Sequence, residues 1–415
     1  MAISPARILM LAPEPFFEPR GTPFSEYHRI KVLGELGYHI DLVTYPFGVD
    51  VQLPNLRIFR SLRPPLIRRV PIGPSVVKVL LDVLLAGVAI RLILREKYTA
   101  IHSHEEAGLL GIWLARWLGI PHLYDMHSSL PEQLSNFRYT RMGILHRLFL
   151  YSERQMILGS RIVIAICREL LELLTAMGEG DRVILIENVM GGDFDEGVYK
   201  SKVEVRSELG ISVSQPLVLY SGTFEAYQGL DLLISAASFL KKSHPDARVL
   251  IVGGDPSQVA AARKQADQQE ANIVFTGQRP PYEIPRFIEA SDILVSPRVS
   301  GMNTPLKIYS YLRSGKPIVA TDLVTHRQVL DESTAMLVPA EPKAFALGIA
   351  QLIDHPEERE RIASSALEMA ARKYSRENYV AKTREAYERL LSDKNSLEAE
   401  TTRSIEISPG GRKSS

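Results

Sequence analysis

The chain has a single cysteine, Cys167, in 415 residues. One thiol excludes intramolecular disulfides, so stability must come from packed cores, and it fits a reducing compartment without demanding one. An excess of cations is missing too. Lys plus Arg number 49 against 48 Asp plus Glu, a net charge of +1, which argues against nucleic-acid binding because that needs a basic field. A spanning helix wants about 20 apolar residues, and the apolar segment from Val76 to Leu94 is interrupted by Lys78, Asp82 and Arg91. No secretory leader is expected either. Met1 to Ala6 run at once into the strand-like Arg7-Ile8-Leu9-Met10-Leu11-Ala12, so the expected location is cytoplasmic.

What is present is the composition of a soluble globular protein, 45% hydrophobic and 23% charged, at a length that suits two domains of about 180 residues each. Short apolar runs alternate with helical patterns. Strands are expected at Ile8–Ala12, His39–Thr44, Leu56–Arg60, Ala100–His102, His122–Asp125, Ile162–Ile166 and Val183–Ile186. Helices are expected between them, such as Phe24–Leu36 before Gly37 and Ala107–Leu118 before Gly119, with glycine as the usual stop. The pattern restarts at Leu217–Tyr220, Ala247–Val252, Ile273–Phe275, Ile293–Ser296 and Pro317–Ala320, and after Thr334 helices follow. Such alternation implies an α/β fold of two doubly wound Rossmann-like units facing across a cleft, with ligands at the carboxyl ends of the strands. The expected division is 1–190 for the first domain, 191–375 for the second, 376–394 for a C-terminal helix packing back toward the first, and 395–415 for a disordered tail.

The most informative stretch runs from Ser296 to Asp322. It reads as a strand end, a Gly/Asn/Thr loop, a short helix opened by Pro305 and another buried strand. Proline suits a first helical turn, and the N–H groups of that turn, with Arg298 before them and Lys307 one turn in, suit a diphosphate.

Several loops resemble those of GT-B glycosyltransferases of family 4. Leu219-Tyr220-Ser221-Gly222-Thr223-Phe224-Glu225-Ala226-Tyr227-Gln228-Gly229 is similar to the family's glycine loop. Phe275-Thr276-Gly277-Gln278-Arg279 and Ala290-Ser291-Asp292 through Pro297 resemble the segments that follow. Ser296–Asp322 resembles the donor-site helix, and Ile186-Glu187-Asn188-Val189-Met190 the interdomain hinge. The likeness spans about residues 6 to 390. It implies a retaining hexosyltransferase that moves a sugar from a nucleoside diphosphate to a glycan or lipid-linked acceptor, as in cell-envelope polysaccharide synthesis, with no bound metal and no cofactor beyond the donor substrate. The second domain would bind the donor through Gly222, Thr223, Gln228, Gln278, Arg279, Asn303, Thr304, Pro305, Leu306 and Ser310, with Gly21 reaching over from the first. His127, Lys307 and Arg298 would serve the chemistry. The UDP or GDP type of the donor stays open.

The chain also departs from that family. An Arg and a Lys expected in the glycine loop are Thr223 and Gln228, and two glutamates expected around the donor helix are Met302 and Ser310. These losses favour a second reading, a catalytically silent nucleotide-sugar-binding scaffold. A sugar-nucleotide epimerase or hydrolase of the same fold is a third.

In the first domain His127 follows an apolar strand and matches the family's cleft histidine; the alternative is a histidine capping a strand loop. Asp125 suits an acceptor hydroxyl or a turn, and His104 and Glu105 suit the cleft border or a helix start. Arg20 and Gly21 open the first helix, where a backbone can approach a ligand. Asp193-Phe194-Asp195 resembles a metal-holding motif of another glycosyltransferase fold, but two acids so spaced occur often by chance, and no metal is expected. Between Arg57 and Leu94, arginines alternate with Leu, Pro, Ile and Val ahead of the apolar stretch. That segment reads either as a buried helix or as an interfacial patch placing the protein peripherally on an anionic membrane surface.

Overall fold

The computed structural model describes residues 6–17, 21–68, 70, 75–129, 143–188, 201–301 and 303–392. Arg20, Arg69, the Asp193-Phe194-Asp195 motif, Met302 and the 395–415 tail lie outside the described residues.

Among the described residues, thirteen strands build two all-parallel sheets. The first holds β1 (Arg7–Ala12), β2 (His39–Thr44), β3 (Leu56–Arg60), β4 (Ala100–His104), β5 (His122–Met126), β6 (Ile162–Ala165) and β7 (Val183–Leu185), in the order β3-β2-β1-β4-β5-β6-β7. The second holds β8 (Leu217–Ser221), β9 (Arg248–Val252), β10 (Ile273–Gly277), β11 (Ile293–Ser296), β12 (Ile318–Thr321) and β13 (Met336–Val338), in the order β10-β9-β8-β11-β12-β13. Most of these strands are buried on both faces, as helices cover a parallel sheet, while the edge strands β3 and β10 are only partly buried. Both orders reverse beside the first strand, so crevices open after β1 and β4 and after β8 and β11.

The helices of the first unit are α1 (Gly21–Glu35), α2 (Val76–Ile93), α3 (Gly108–Leu118), α4 (Gly143–Gly159) and α5 (Arg168–Ala176). Those of the second are α6 (Lys202–Glu208), α7 (Leu230–Ser243), α8 (Pro256–Gln268), α9 (Ile284–Ala290), α10 (Lys307–Arg313), α11 (Val324–Arg327), α12 (Pro342–Asp354) and α13 (Pro356–Lys373). The local chemistry sets their ends. Asp255 caps α8 in a reciprocal box with Gln258, with Pro256 in the first turn, and α3 stops at Gly119 in the left-handed region, φ 66°. The last helix, α14 (Arg376–Leu391), crosses back to pack on α1, β6 and β7. One buried apolar cluster therefore runs from Ile30 and Leu33 of α1 through Tyr387 and Leu390 of α14 to Ile308 and Leu312 of α10.

Three expectations need correction. β13 follows Thr334 before the helices begin; its three residues are too few to show a strand pattern in sequence. The donor-site helix starts at Lys307, with Pro305 two residues outside it and its carbonyl accepting from the Ile308 N–H at 3.0 Å. Lys307 is thus the first helical residue rather than one turn in. Third, α2 is neither simply buried nor simply interfacial. Leu81, Leu85, Ala89, Leu92 and Ile93 pack inward, while Val76, Val79 and Val83 are more than half exposed. No described helix is long and apolar enough to cross a membrane.

Candidate active site

The second sheet's switch point brings Gly222, at the end of β8, beside Lys307, which opens α10. Gly222 sits at φ 154°, and a Cβ there would lie 3.1 Å from the Lys307 Nζ. The loop is pinned by Tyr311, whose hydroxyl accepts from the Ser221 N–H at 3.1 Å, and by Gly229. At φ 73°, Gly229 comes so near the next loop that a Cβ would fall 1.9 Å from the Pro297 carbonyl oxygen, an approach open only to glycine.

The Lys307 Nζ is buried and has no hydrogen-bond partner among the described residues. It lies 3.9 Å from the centroid of the Tyr220 ring. Burial, and then the charge of Arg298, pull its pKa well below the ordinary lysine value. An unpaired buried amine is costly, and it is what a phosphate oxygen would satisfy. Arg298 is placed differently from the sequence expectation. Its Nε donates to the Ser300 carbonyl at 2.8 Å and Nη1 to that of Asn303 at 2.6 Å, with the guanidinium 5.0 Å from the Tyr227 ring. Much of its donor capacity shapes the 298–303 loop, and its charge stays beside Lys307. His326 ties the strands below: its Nδ1–H donates to the Thr321 carbonyl at 2.7 Å, so Nε2 accepts from Ser296 Oγ at 2.8 Å.

The other donor-side candidates spread around this pair. Thr304 and Pro305 are buried, and Asn303, Leu306 and Ser310 half-buried. The Gln228 Oε1 is buried without a hydrogen-bond partner among the described residues. Thr223 is exposed, with its carbonyl accepting from the Tyr220 hydroxyl at 2.7 Å. Gln278 and Arg279 are exposed after β10, and the Gln278 N–H donates to the Gly254 carbonyl. Gly21 is the first residue of α1.

Across the cleft, β4 and β5 carry His102, His104, Asp125 and His127 into one buried cluster. Asp125 Oδ2 is 3.5 Å from His102 Nε2, 4.0 Å from His104 Nδ1 and 3.4 Å from Arg29 Nε. Its Oδ1 is 3.5 Å from His127 Nε2. Burial pushes the Asp125 carboxyl up, but His127, Arg29, His102 and His104 outweigh burial and hold it well below the usual carboxylate range. Burial lowers the pKa of all three histidines, which favours their neutral forms. His102, His104 and Asp125 bring one ligand atom each within 4.8 Å of one another, yet Arg29 already fixes a positive charge on the carboxylate. Coulomb repulsion there opposes a cation, and the cluster reads as an ion-pair network.

Asn303 joins the two halves: its Nδ2 donates to the His127 carbonyl at 2.8 Å, and the Cys167 thiol lies 3.8 Å from its Oδ1. Asn303 is thus brought to His127 and Lys307 to Gly222 and Tyr220, while Gln278 and Arg279 stand exposed after the edge strand β10.

Two family models cover this arrangement. Residues 29–188 match the glycosyl transferase 4-like domain and residues 201–369 the glycosyl transferases group 1. The chain is a GT-B glycosyltransferase of the family 4 type. A phosphatidyl-myo-inositol mannosyltransferase of Mycobacterium leprae is 25% identical over 373 residues, 89% of this chain and 92% of that one. The sucrose-phosphate synthase of Thermosynechococcus elongatus shares the fold with a TM-score of 0.76 at 18% identity, over 95% of this chain and all of that one. Anabaena HepE, solved with UDP-glucose, has a TM-score of 0.68 at 16% identity, over 95% and 99%.

The glycosyltransferase also has cleft residues that sequence reading missed. Glu26 on α1 is fully buried, its Oε1 3.8 Å from His104 Nε2, and burial raises its pKa to about 8. Glu14, in the loop after β1, is likewise raised by burial and by Glu26. Arg29 completes the charge around Asp125. For Glu26 and Arg29 the signal was present as charged residues on a helix otherwise expected to bury an apolar face; only their convergence on β4 and β5 gives them meaning.

Proposed function

We propose that the protein transfers a sugar, with retention of configuration, from a nucleoside-diphosphate sugar to a glycan or lipid-linked acceptor at a membrane surface. The carrying observation is the Lys307 amine, buried and without a hydrogen-bond partner among the described residues, at the switch point beside Arg298. In this reading Lys307 pairs with the diphosphate and stabilises the departing charge. The His127 carbonyl, fixed by Asn303, and the His127 ring border the sugar carbon. The leaving phosphate oxygen takes the proton of the incoming acceptor hydroxyl, so that the new bond forms on the face the nucleotide vacates. Ser310 replaces a ribose-binding carboxylate with a weaker hydroxyl, and this favours the silent scaffold as a second reading.

Titration calorimetry with UDP, GDP and their sugars is expected to give saturable binding to one base. Sugar transfer from that donor is expected to disappear in His127→Ala while nucleotide binding stays within about threefold of wild type. Binding without turnover for any acceptor would move the assignment to the scaffold, and absence of binding to every nucleotide would remove both.

The membrane part rests on Leu62, Leu66 and Val76, which are 75%, 96% and 87% exposed, near Arg63 and Arg68. Apolar side chains beside cations suit an anionic bilayer surface. Vesicles containing anionic lipid are expected to pellet the protein, and the Leu66→Glu, Arg68→Glu pair to weaken that at least about tenfold. Equal pelleting of wild type and variant would refute the patch.

A further inference from the structure

Helix α14 lies beyond both matched family regions, yet it reaches the cluster around Asp125. Tyr379, Thr383 and Tyr387 recur every fourth residue, share one face and are fully or almost fully buried. Thr383 Oγ1 accepts from Arg29 Nη1 at 3.1 Å, and the Arg29 guanidinium stands 5.0 Å from the Tyr379 ring. The Tyr387 hydroxyl lies 2.6 Å from His102 Nδ1.

We propose that Tyr387 is a positioning residue, fixing the tautomer of His102 and through Asp125 the setting of the His127 ring; the kinetic part rests on the sugar-transfer reading. A neutral imidazole carries one proton, and which nitrogen holds it is set by the partners of both. His102 Nε2 faces the ionised Asp125 carboxylate at 3.5 Å, so the proton belongs on Nε2. Nδ1 must then accept, and Tyr387 donates to it. Burial keeps the phenol protonated, in agreement with that direction. The order is a hydrogen bond from Tyr387 O–H to His102 Nδ1, then charge contacts at 3.5 Å from His102 Nε2 to Asp125 Oδ2 and from Asp125 Oδ1 to His127 Nε2. Without the phenol hydroxyl, the His102 proton is free to move to Nδ1. A lone pair would then face the carboxylate, Asp125 would turn further toward Arg29, and His127, still 3.1 Å from His104 Nδ1, would lose the carboxylate's share of its orientation. A helix that follows the donor domain in sequence thus completes the acceptor-side cluster.

Tyr387→Phe removes one oxygen and keeps the ring, which packs 5.1 Å from Tyr38. In full-length protein, nitrogen-15 correlation spectra of the imidazoles are expected to show His102 protonated on Nε2 in wild type and shifted toward Nδ1 in Tyr387→Phe. Transfer assays are expected to show kcat down about tenfold, with the donor KM within about twofold. Arg389→Ala loosens the same helix at its exposed end, where Arg389 donates to the Asp181 carbonyl, and is expected to keep wild-type kcat. An unchanged His102 tautomer in Tyr387→Phe overturns the proposal, as does an equal loss of kcat in both variants. The spectra decide the tautomer claim even if no donor is turned over, so its failure and that of the sugar-transfer reading stay distinguishable.

Discussion

Lys307→Met is expected to raise the thermal midpoint of the free protein and to weaken nucleoside-diphosphate binding by about 100-fold, about 2.7 kcal/mol. The two effects have opposite signs for one reason. In the free protein the amine is buried without a partner and beside the like charge of Arg298, so an apolar side chain of similar length relieves a desolvation cost. With a diphosphate present the same amine makes a charge-assisted bond that methionine cannot make. A residue serving the fold alone would lose stability on replacement. Proton linkage gives a second signature. Because the pKa of Lys307 is well below the ordinary lysine value without ligand and rises on pairing with phosphate, binding takes up a proton as pH climbs through the ligand-free value. Calorimetric enthalpies should then change with the buffer's ionisation enthalpy, and affinity should fall with rising pH. Both signatures should vanish in Lys307→Met.

Asp125→Asn is expected to lower stability by about 3 kcal/mol or more at neutral pH. Arg29 is almost fully buried, and Asp125 is its carboxylate partner at 3.4 Å; the amide removes the counter-charge but leaves the guanidinium inside. The pH dependence follows from the sign of the shift. The folded-state pKa of Asp125 is depressed, so its stabilisation is present above the ordinary aspartate value, near 3.9, and is lost as pH falls through the folded value. Denaturant titrations at several pH values should therefore show the wild-type advantage over Asp125→Asn intact at pH 7 and shrinking only in strong acid. An advantage that disappeared near pH 6 would instead assign the linkage to the histidines.

Most parallel strands were legible because burial on both faces leaves apolar runs; β2 and β11 match their sequence boundaries, as does the partly buried edge strand β3, and most others differ by one or two residues. β13 escaped because three residues carry no period. Pro305 misled by its preference for a first turn: its carbonyl closes a tight turn ahead of the helix, which moves Lys307 to the helix start. Arg298 was legible as a cation near phosphate, but not as the brace of its own loop, since its partners are backbone carbonyls that any sequence supplies.

The sequence by itself determined two doubly wound units, the order of their loops and the chemical types at the loop ends, because periodicity and glycine placement are local properties. Tertiary structure alone decided which charges meet. Glu26 and Arg29 from α1, His102 and Asp125 from β4 and β5, and Tyr387 from the last helix are separated by up to hundreds of residues, and no local pattern encodes their contact. Their shifted pKa values follow from burial and from the charges that burial brings together, properties of the assembled fold rather than of any segment.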